Sequence, residues 1–346
     1  MKSCFNTRQY TDERNHFIVV EDEVIKNYKI LKEIGKGAYG KVCLAINNSK
    51  YNENVVLKII KNKISYRQCA VKEIEILKKL NYSYRDESRE FTSLFYNNFD
   101  FKGHIFIELK KYGENLYKGT LETQLELNQI LNVTIDLIKG LEFLKKNDII
   151  HADLKPENIL FLENSREHVV ICDFGLSFKL KDVNLKYEVQ SMWYRSPEVL
   201  FSINYDYCID LWSLGCIIFE LIYDNALFRG STQEQLFKYF LAFMGTPNNE
   251  FQNKNEYTRS FFDLNYNPIL KIDNNLKIRS DCKRNYLLNY ESKSKSLMIL
   301  ILKIIHWDIS DRIIIEDCVN MINDLQNEIK LNSNNVTVTV AKQKTL

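Results

Sequence analysis

His151-Ala152-Asp153-Leu154-Lys155-Pro156-Glu157-Asn158 is the most informative stretch of the chain. It sets a carboxylate, an ammonium and an amide oxygen within six residues, Asp153 to Asn158. Transfer of a phosphoryl group to a hydroxyl needs those three: an acceptor for the hydroxyl proton, a cation for the phosphate and an oxygen ligand for a metal. A polar loop that carries these residue types without using them is the competing reading. Further along, Asp173-Phe174-Gly175 follows the apolar run 169–172, which suits a metal-binding carboxylate delivered from a strand end. Ser196-Pro197-Glu198 closes the segment.

Upstream, Gly35-Lys36-Gly37-Ala38-Tyr39-Gly40 gives a GxGxxG spacing. Alone it fits a dinucleotide fingerprint, a phosphate cover or an ordinary hairpin. A dinucleotide motif must open a helix, whereas residues 41–46 and 55–60 both read as β-branched strands. Strand–loop–strand suits a flap whose bare backbone approaches phosphate oxygens. Lys58 lies inside the apolar run 55–60. It is either an edge lysine that reaches water or an ammonium kept for phosphate, and the second needs a carboxylate to hold it. Glu73, fifteen residues on, is the candidate.

Composition bounds the rest. The 346 residues hold only 11 Gly and 4 Pro, about 4%, where average usage is about 12%. Fibrous, linker-like and Pro-rich disordered chains are excluded, and a large core needs no disulfide. Lys and Arg number 47 against 45 Asp and Glu, so no nucleic-acid footprint is expected. Eight Cys lack metal spacing, and residues 1–10 are polar. The expectation is reduced thiols and an intracellular protein, in cytoplasm or nucleus, without a membrane span.

Residues 28–34, 41–46, 55–60 and 105–109 are expected strands. Val71, Ile74, Leu77 and Leu80 recur at helical spacing. Beyond Tyr112 the pattern turns helical: a stripe from Leu127 to Leu144, then residues 211–222, apolar on nearly every face. The expected class is α+β, with a small β-rich lobe at 28–112 and a larger helical lobe at 113–326 separated by a cleft. Residues 1–27 read as a polar extension, partly packed on the domain through an apolar patch at 17–20, and 327–346 as a polar tail. Asn-rich stretches at 248–255 and 265–275 are expected surface loops.

In this order, the motifs resemble the protein kinases. Lys58-Ile59-Ile60-Lys61-Asn62-Lys63, Glu114-Asn115-Leu116-Tyr117, His151-Ala152-Asp153, Gln190-Ser191, Trp193-Tyr194-Arg195-Ser196-Pro197-Glu198 and Asp210-Leu211-Trp212-Ser213-Leu214-Gly215-Cys216 resemble the CMGC group, and within it the dual-specificity tyrosine-regulated (DYRK-like) kinases. Residues 9–20 faintly resemble that family's upstream box. The resemblance implies the bilobal kinase fold and a serine/threonine kinase that uses ATP and Mg²⁺. Ile34, Gly35, Lys36, Gly37, Ala38, Tyr39, Gly40, Lys41 and Val42 would cover the phosphates. Lys58, held by Glu73, would contact the α/β-phosphates. Asp153 would accept the substrate proton, Lys155 would steady the γ-phosphate, and Asn158 and Asp173 would bind Mg²⁺. Ser191 would bond near Asp153, Asp210 would brace the catalytic loop, and Glu198 would pair with Arg312. Leu77, His151 and Phe174 are expected in the core, with Leu109 as gatekeeper and residues 110–112 as hinge, or the same pair shifted by two residues. The implied partners are protein substrates with Ser/Thr acceptors, with Pro after the acceptor as a group expectation, and the chain is expected to be a monomer.

Two departures stand out. Ala152 replaces the Arg that in many kinases receives an activation-loop phosphate. The family's regulatory Tyr aligns with Glu188, and the Arg receiving its phosphate with Met192. Hence the expectation that a fixed carboxylate holds the segment without phosphorylation, with the adjacent Tyr187 as the alternative site. Rival readings are a cyclin-dependent-kinase-like enzyme needing a partner, a pseudokinase scaffold and a dinucleotide oxidoreductase. The scaffold should have lost one of Lys58, Asp153, Asn158 or Asp173, and none is lost. The oxidoreductase fails on the strand after Gly40.

Overall fold

The computed structural model describes residues 9–49, 53–83, 86–288, 295–327 and 329–330. Residues 1–8 and the expected tail beyond 330 lie outside the described residues. The chain divides into two compact units. The first is 1–112 with 173–176, and the second is 113–172 with 177–346.

Unit one is built on an antiparallel six-stranded sheet. Its strands are β1 (Val24–Ile25), β2 (Tyr28–Lys36), β3 (Gly40–Asn47), β4 (Glu53–Ile60), β5 (Phe95–Phe101) and β6 (His104–Lys110), in spatial order β1-β2-β3-β4-β6-β5. Alternation explains the strands: Cys43, Ala45, Val55, Leu57 and Ile59 are buried on one face together with Phe106. Phe17 and Ile25 belong to the same core, so part of the stretch read as an extension packs into the unit. Strand β5 is absent from the sequence reading. Asn97-Asn98 looks like a turn, and the pairing register slips between Phe95 and Asn97. Helix α1 (Ile64–Tyr82) buries Ala70, Glu73, Ile74, Ile76, Leu77 and Leu80. It begins seven residues before the apolar spacing does, because its first turn is exposed.

Unit two is mainly helical. Helices α2 (Leu116–Glu122) and α3 (Leu127–Lys146) precede short strands β7 (Ile149–Ile150), β8 (Ile159–Phe161), β9 (Val169–Ile171) and β10 (Phe178–Lys179). β7 pairs with β10 and β8 with β9, and these two ribbons frame the loop that carries Asp153. After α4 (Pro197–Leu200), helix α5 (Cys208–Tyr223) is buried over nearly its whole length, as its all-round apolarity requires. It packs on α3 and on α10. Then come α6 (Gln233–Met244), α7 (Asn249–Gln252), α8 (Glu256–Arg259), α9 (Asn274–Leu288), α10 (Lys295–Ile304) and α11 (Ile315–Asn320).

The expected loop at 248–255 is a correction. Asn248 and Asn255 cap α7 and α8, their side chains accepting from the Phe251 and Thr258 N–H groups at 2.8 and 2.7 Å. Phe251 is buried and anchors the pair. Residues 263–273 do form a loop, and α9 begins at Asn274.

Candidate active site

In unit one, β2 and β3 meet at the glycine-rich turn, with Gly35 opposite Val42 and Lys36 opposite Lys41. Gly37 is open, with nothing near where a Cβ would stand. A Cβ on Gly40 would meet the Ile59 carbonyl oxygen at 2.0 Å, so β3 and β4 can approach only as glycine allows. The strand after Gly40 settles the open reading of the motif: it is a hairpin, not a strand–helix turn.

β4 delivers Lys58 with 12% of its side chain exposed. Its ammonium donates to Glu73 Oε1 at 2.6 Å and to Asp173 Oδ1 at 2.7 Å. Burial alone would lower the Lys58 pKa. The carboxylates of Asp173 and Glu73 outweigh burial and raise it, so the amine stays charged. Lys58 is therefore no edge residue reaching water. Asp173 stands at φ +63°. The register also places the expected gatekeeper, Leu109, relative to Lys58. Ile107 lies opposite Lys58, fully buried, whereas Leu109 lies opposite Val56 and is half-buried. The two positions share one face of the strand, and it is the pairing that sets Ile107 rather than Leu109 opposite Lys58.

In unit two, Asp153 is 8% exposed and its carboxylate is fully engaged. Oδ2 accepts from Lys155 Nζ at 2.8 Å and from Asn158 Nδ2 at 3.1 Å. Oδ1 accepts from Ser191 Oγ at 2.7 Å. Lys155 also donates to Ser191 Oγ at 2.9 Å. The Asn158 amide donates in addition to the Asp153 carbonyl, at 2.9 Å. Those bonds fix its rotation and leave its oxygen for a ligand. The loop is braced from beneath: buried Asp210 accepts from the His151 and Ala152 N–H groups at 2.7 and 2.9 Å. Burial raises the Asp210 pKa, while His151 and these N–H bonds oppose the shift. His151, Leu77 and Phe174 are each buried.

The following segment is anchored by Gln190, at φ +61°. Its Nε2 donates to the Ile209 carbonyl at 2.8 Å and to Ser213 Oγ at 2.9 Å, and its Oε1 accepts from Ser196 N at 3.0 Å. The Gln190 carbonyl takes two bonds from Arg195, Nη2 at 2.9 Å and Nε at 3.3 Å. Arg195 Nη1 lies 3.2 Å from Glu188 Oε1. Arg312 and Glu198 form a buried pair at 2.6 Å. In the sequence, Gln190 is visible only as part of the Gln190-Ser191 resemblance. A polar residue beside a motif carries no signal of how many bonds it makes.

The protein kinase domain family matches residues 28–322. The chain belongs to the protein kinase family. Its likeness within that family is to the DYRK-like kinases of the CMGC group. It is 31% identical over 312 residues to "Dual specificity tyrosine-phosphorylation-regulated kinase 4" of Homo sapiens, covering 89% of this chain and 59% of that protein. It is 33% identical over 261 residues to "Putative dual specificity tyrosine-phosphorylation-regulated kinase 3 homolog" of Drosophila melanogaster, covering 74% and 31%. It is 29% identical over 321 residues to "Serine/threonine-protein kinase ppk5" of Schizosaccharomyces pombe, covering 91% and 38%. The chain thus spans roughly a third to three fifths of the length of these relatives. No helix among the described residues is long and apolar enough to cross a membrane.

Among the described residues no group of three or more His, Cys, Asp or Glu could hold a metal. Magnesium takes one or two protein carboxylates and fills the rest of its shell with phosphate and water. Asp173 and the Asn158 amide oxygen are donors of the right, hard type.

Proposed function

We propose that the chain is an ATP-dependent protein serine/threonine kinase. The observation that carries this is the Asp153 carboxylate held by Lys155, Asn158 and Ser191. Asp153 would orient the substrate hydroxyl and accept its proton. Lys155, hydrogen-bonded to that carboxylate, would keep positive charge beside the transferring group. Lys58, locked by Glu73, would bind phosphate oxygens under the flap of residues 34–42. Asn158 and Asp173 would hold Mg²⁺, which with ATP supplies the activated phosphoryl group. Lys155 fits the Ser/Thr pattern rather than that of tyrosine kinases.

Two finer features belong to this reading. Both Arg195 bonds occupy the Gln190 carbonyl, so no acceptor remains there for the N–H of the residue after the phosphoacceptor, and proline, which has none, is favoured. Glu188, bonded to Arg195, supplies a permanent carboxylate where a phosphate would otherwise sit, so the segment needs no phosphorylation. Ala152 is fully buried and cannot receive one. A partner-dependent kinase is the second reading. The Lys58–Glu73 bond, already formed in the chain alone, speaks against it.

The test is phosphate transfer from labelled ATP to Ser/Thr peptides by phosphatase-treated protein. Asp153→Asn should lower kcat by about 10²- to 10⁴-fold with the fold intact, and Tyr187→Phe should leave it unchanged. Full activity of Asp153→Asn refutes the catalytic assignment. Loss of activity in folded Tyr187→Phe refutes the phosphorylation-free segment.

A further inference from the structure

Residues 10–18 turn back on themselves. Thr11 bridges Phe17, Ile18 N donates to the Tyr10 carbonyl at 2.8 Å, and Asp12 Oδ1 caps the His16 N–H at 2.8 Å. Phe17 is 1% exposed and meets Phe106, Phe101 and His104 edge-on. This strap grips the chain at two points, both at the end of β4. His104, fully buried, bridges Thr11 and β4: its Nδ1 donates to the Ile60 carbonyl at 2.7 Å, and its Nε2 accepts from the Thr11 hydroxyl at 2.9 Å. The Asn15 carbonyl accepts from Asn62 N at 2.9 Å.

The same short turn holds the glycine-rich hairpin from its other side. Lys61 N donates to the Tyr39 carbonyl at 3.0 Å, and the Ile59 carbonyl lies where a Cβ on Gly40 would stand. Residues 59–62 are thus clasped between strap and flap. Buried His16 also feels the charges of Lys36 and Lys41 on the flap, of Lys61 on the turn and of Asp12.

We propose that residues 10–18 set the position of the flap through the turn 59–62, with Thr11 as a positioning residue for nucleotide binding. The inference rests on reading the flap as the phosphate cover. Thr11 touches no reacting group; it fixes His104, which fixes the Ile60 carbonyl, whose turn fixes Tyr39. Loosening the strap should therefore weaken nucleotide binding and leave the handling of peptide substrate alone.

The experiment uses the full chain and four proteins: wild type, Thr11→Val, Thr11→Ser and Ile30→Val. Ile30 is a buried residue of the same core outside the strap, so Ile30→Val reports simple destabilisation of the unit. Calorimetric titration with ATP·Mg²⁺ and with ADP gives Kd. Loss of one neutral hydrogen bond corresponds to roughly two- to tenfold. Thr11→Val should raise Kd and the KM for ATP by about fivefold, hasten exchange of the Lys61 amide and leave kcat and peptide KM within about twofold. Thr11→Ser, which keeps the hydroxyl, should restore wild-type binding, and Ile30→Val should lower the melting temperature without changing Kd. Unchanged Kd in Thr11→Val, or an equal rise in Ile30→Val, overturns the positioning role while the kinase reading stands. A wild type that neither binds nucleotide nor transfers phosphate overturns both.

Discussion

Proline selectivity offers the sharpest test of the substrate platform, because it turns on one carbonyl. The Gln190 oxygen has two lone pairs, and Arg195 Nη2 and Nε fill both at 2.9 and 3.3 Å. A peptide with Ala after the acceptor must bury an N–H against this saturated oxygen. An unsatisfied buried donor costs about 1–3 kcal/mol, roughly 5- to 150-fold in kcat/KM. Three peptides that differ only at that residue separate the causes: Pro, Ala and N-methylalanine. The methylated residue lacks the N–H but also the ring. If the missing acceptor is the cause, N-methylalanine should recover most of the selectivity and Ala should fall within the stated range. Arg195→Lys, which replaces the two-pronged hold with a single ammonium, should narrow the Pro-to-Ala ratio. Equal turnover of Pro and Ala peptides refutes the argument. So does an N-methylalanine peptide as poor as Ala, since ring packing would then carry the preference.

Two further outcomes follow. Arg312 is fully buried, pairs with Glu198 at 2.6 Å, donates to the Cys208 and His306 carbonyls and lies 5.1 Å from the Trp212 ring centroid. Arg312→Ala strands the Glu198 charge at a cost of about 3–5 kcal/mol, so differential scanning fluorimetry should show a melting point lower by about 4–7 °C, and a shift under about 2 °C would contradict the assignment. Burial lowers the pKa of His104 below its usual 6.5, against the bond to Ile60. The unfolded chain therefore takes up a proton as pH falls below about 6.5 while the folded chain does not, so stability is level above that pH and declines below it. Melting curves from pH 7.5 to 5.5 should show this decline in wild type and a shallower one in His104→Gln; identical slopes would exclude His104 as the source.

Much of the site was legible because its chemistry sits in contiguous motifs. Asp153, Lys155 and Asn158 act on one another within one loop, and the strand between Gly40 and Asn47 follows from β-branched alternation. Lys58 and Glu73 are fifteen residues apart, and their pairing was legible only as a requirement: a buried ammonium needs a carboxylate. The illegible parts depend on register and on caps. Ile107 lies beside Lys58 through strand pairing, which no count along the chain yields. Asn248 and Asn255 looked like loop residues because asparagine serves turns and helix caps alike, and the buried Phe251 between them decides for the cap. Phe17 was visible as an apolar patch, but its partners Phe101 and Phe106 lie far along the chain.

A chain of hydrogen bonds links Ala152 to Glu188 through Gln190 and Arg195. Ala152, Asp173 and Gln190 stand at φ +65°, +63° and +61°, a region that costs a residue with a Cβ about 1–2 kcal/mol. Each is held by groups that also serve the site. Asp210 bonds the Ala152 N–H, and the Ala152 carbonyl in turn accepts from Gln190 N at 2.7 Å. The Gln190 carbonyl is held by Arg195, and Arg195 is paired with Glu188. Asp173 is held by Lys58. Here the path from Asp210 to Glu188 runs through the Ala152 and Gln190 backbone and the Arg195 side chain. An arginine in place of Ala152 would put a charge at a fully buried position, whereas alanine keeps the backbone turn without one.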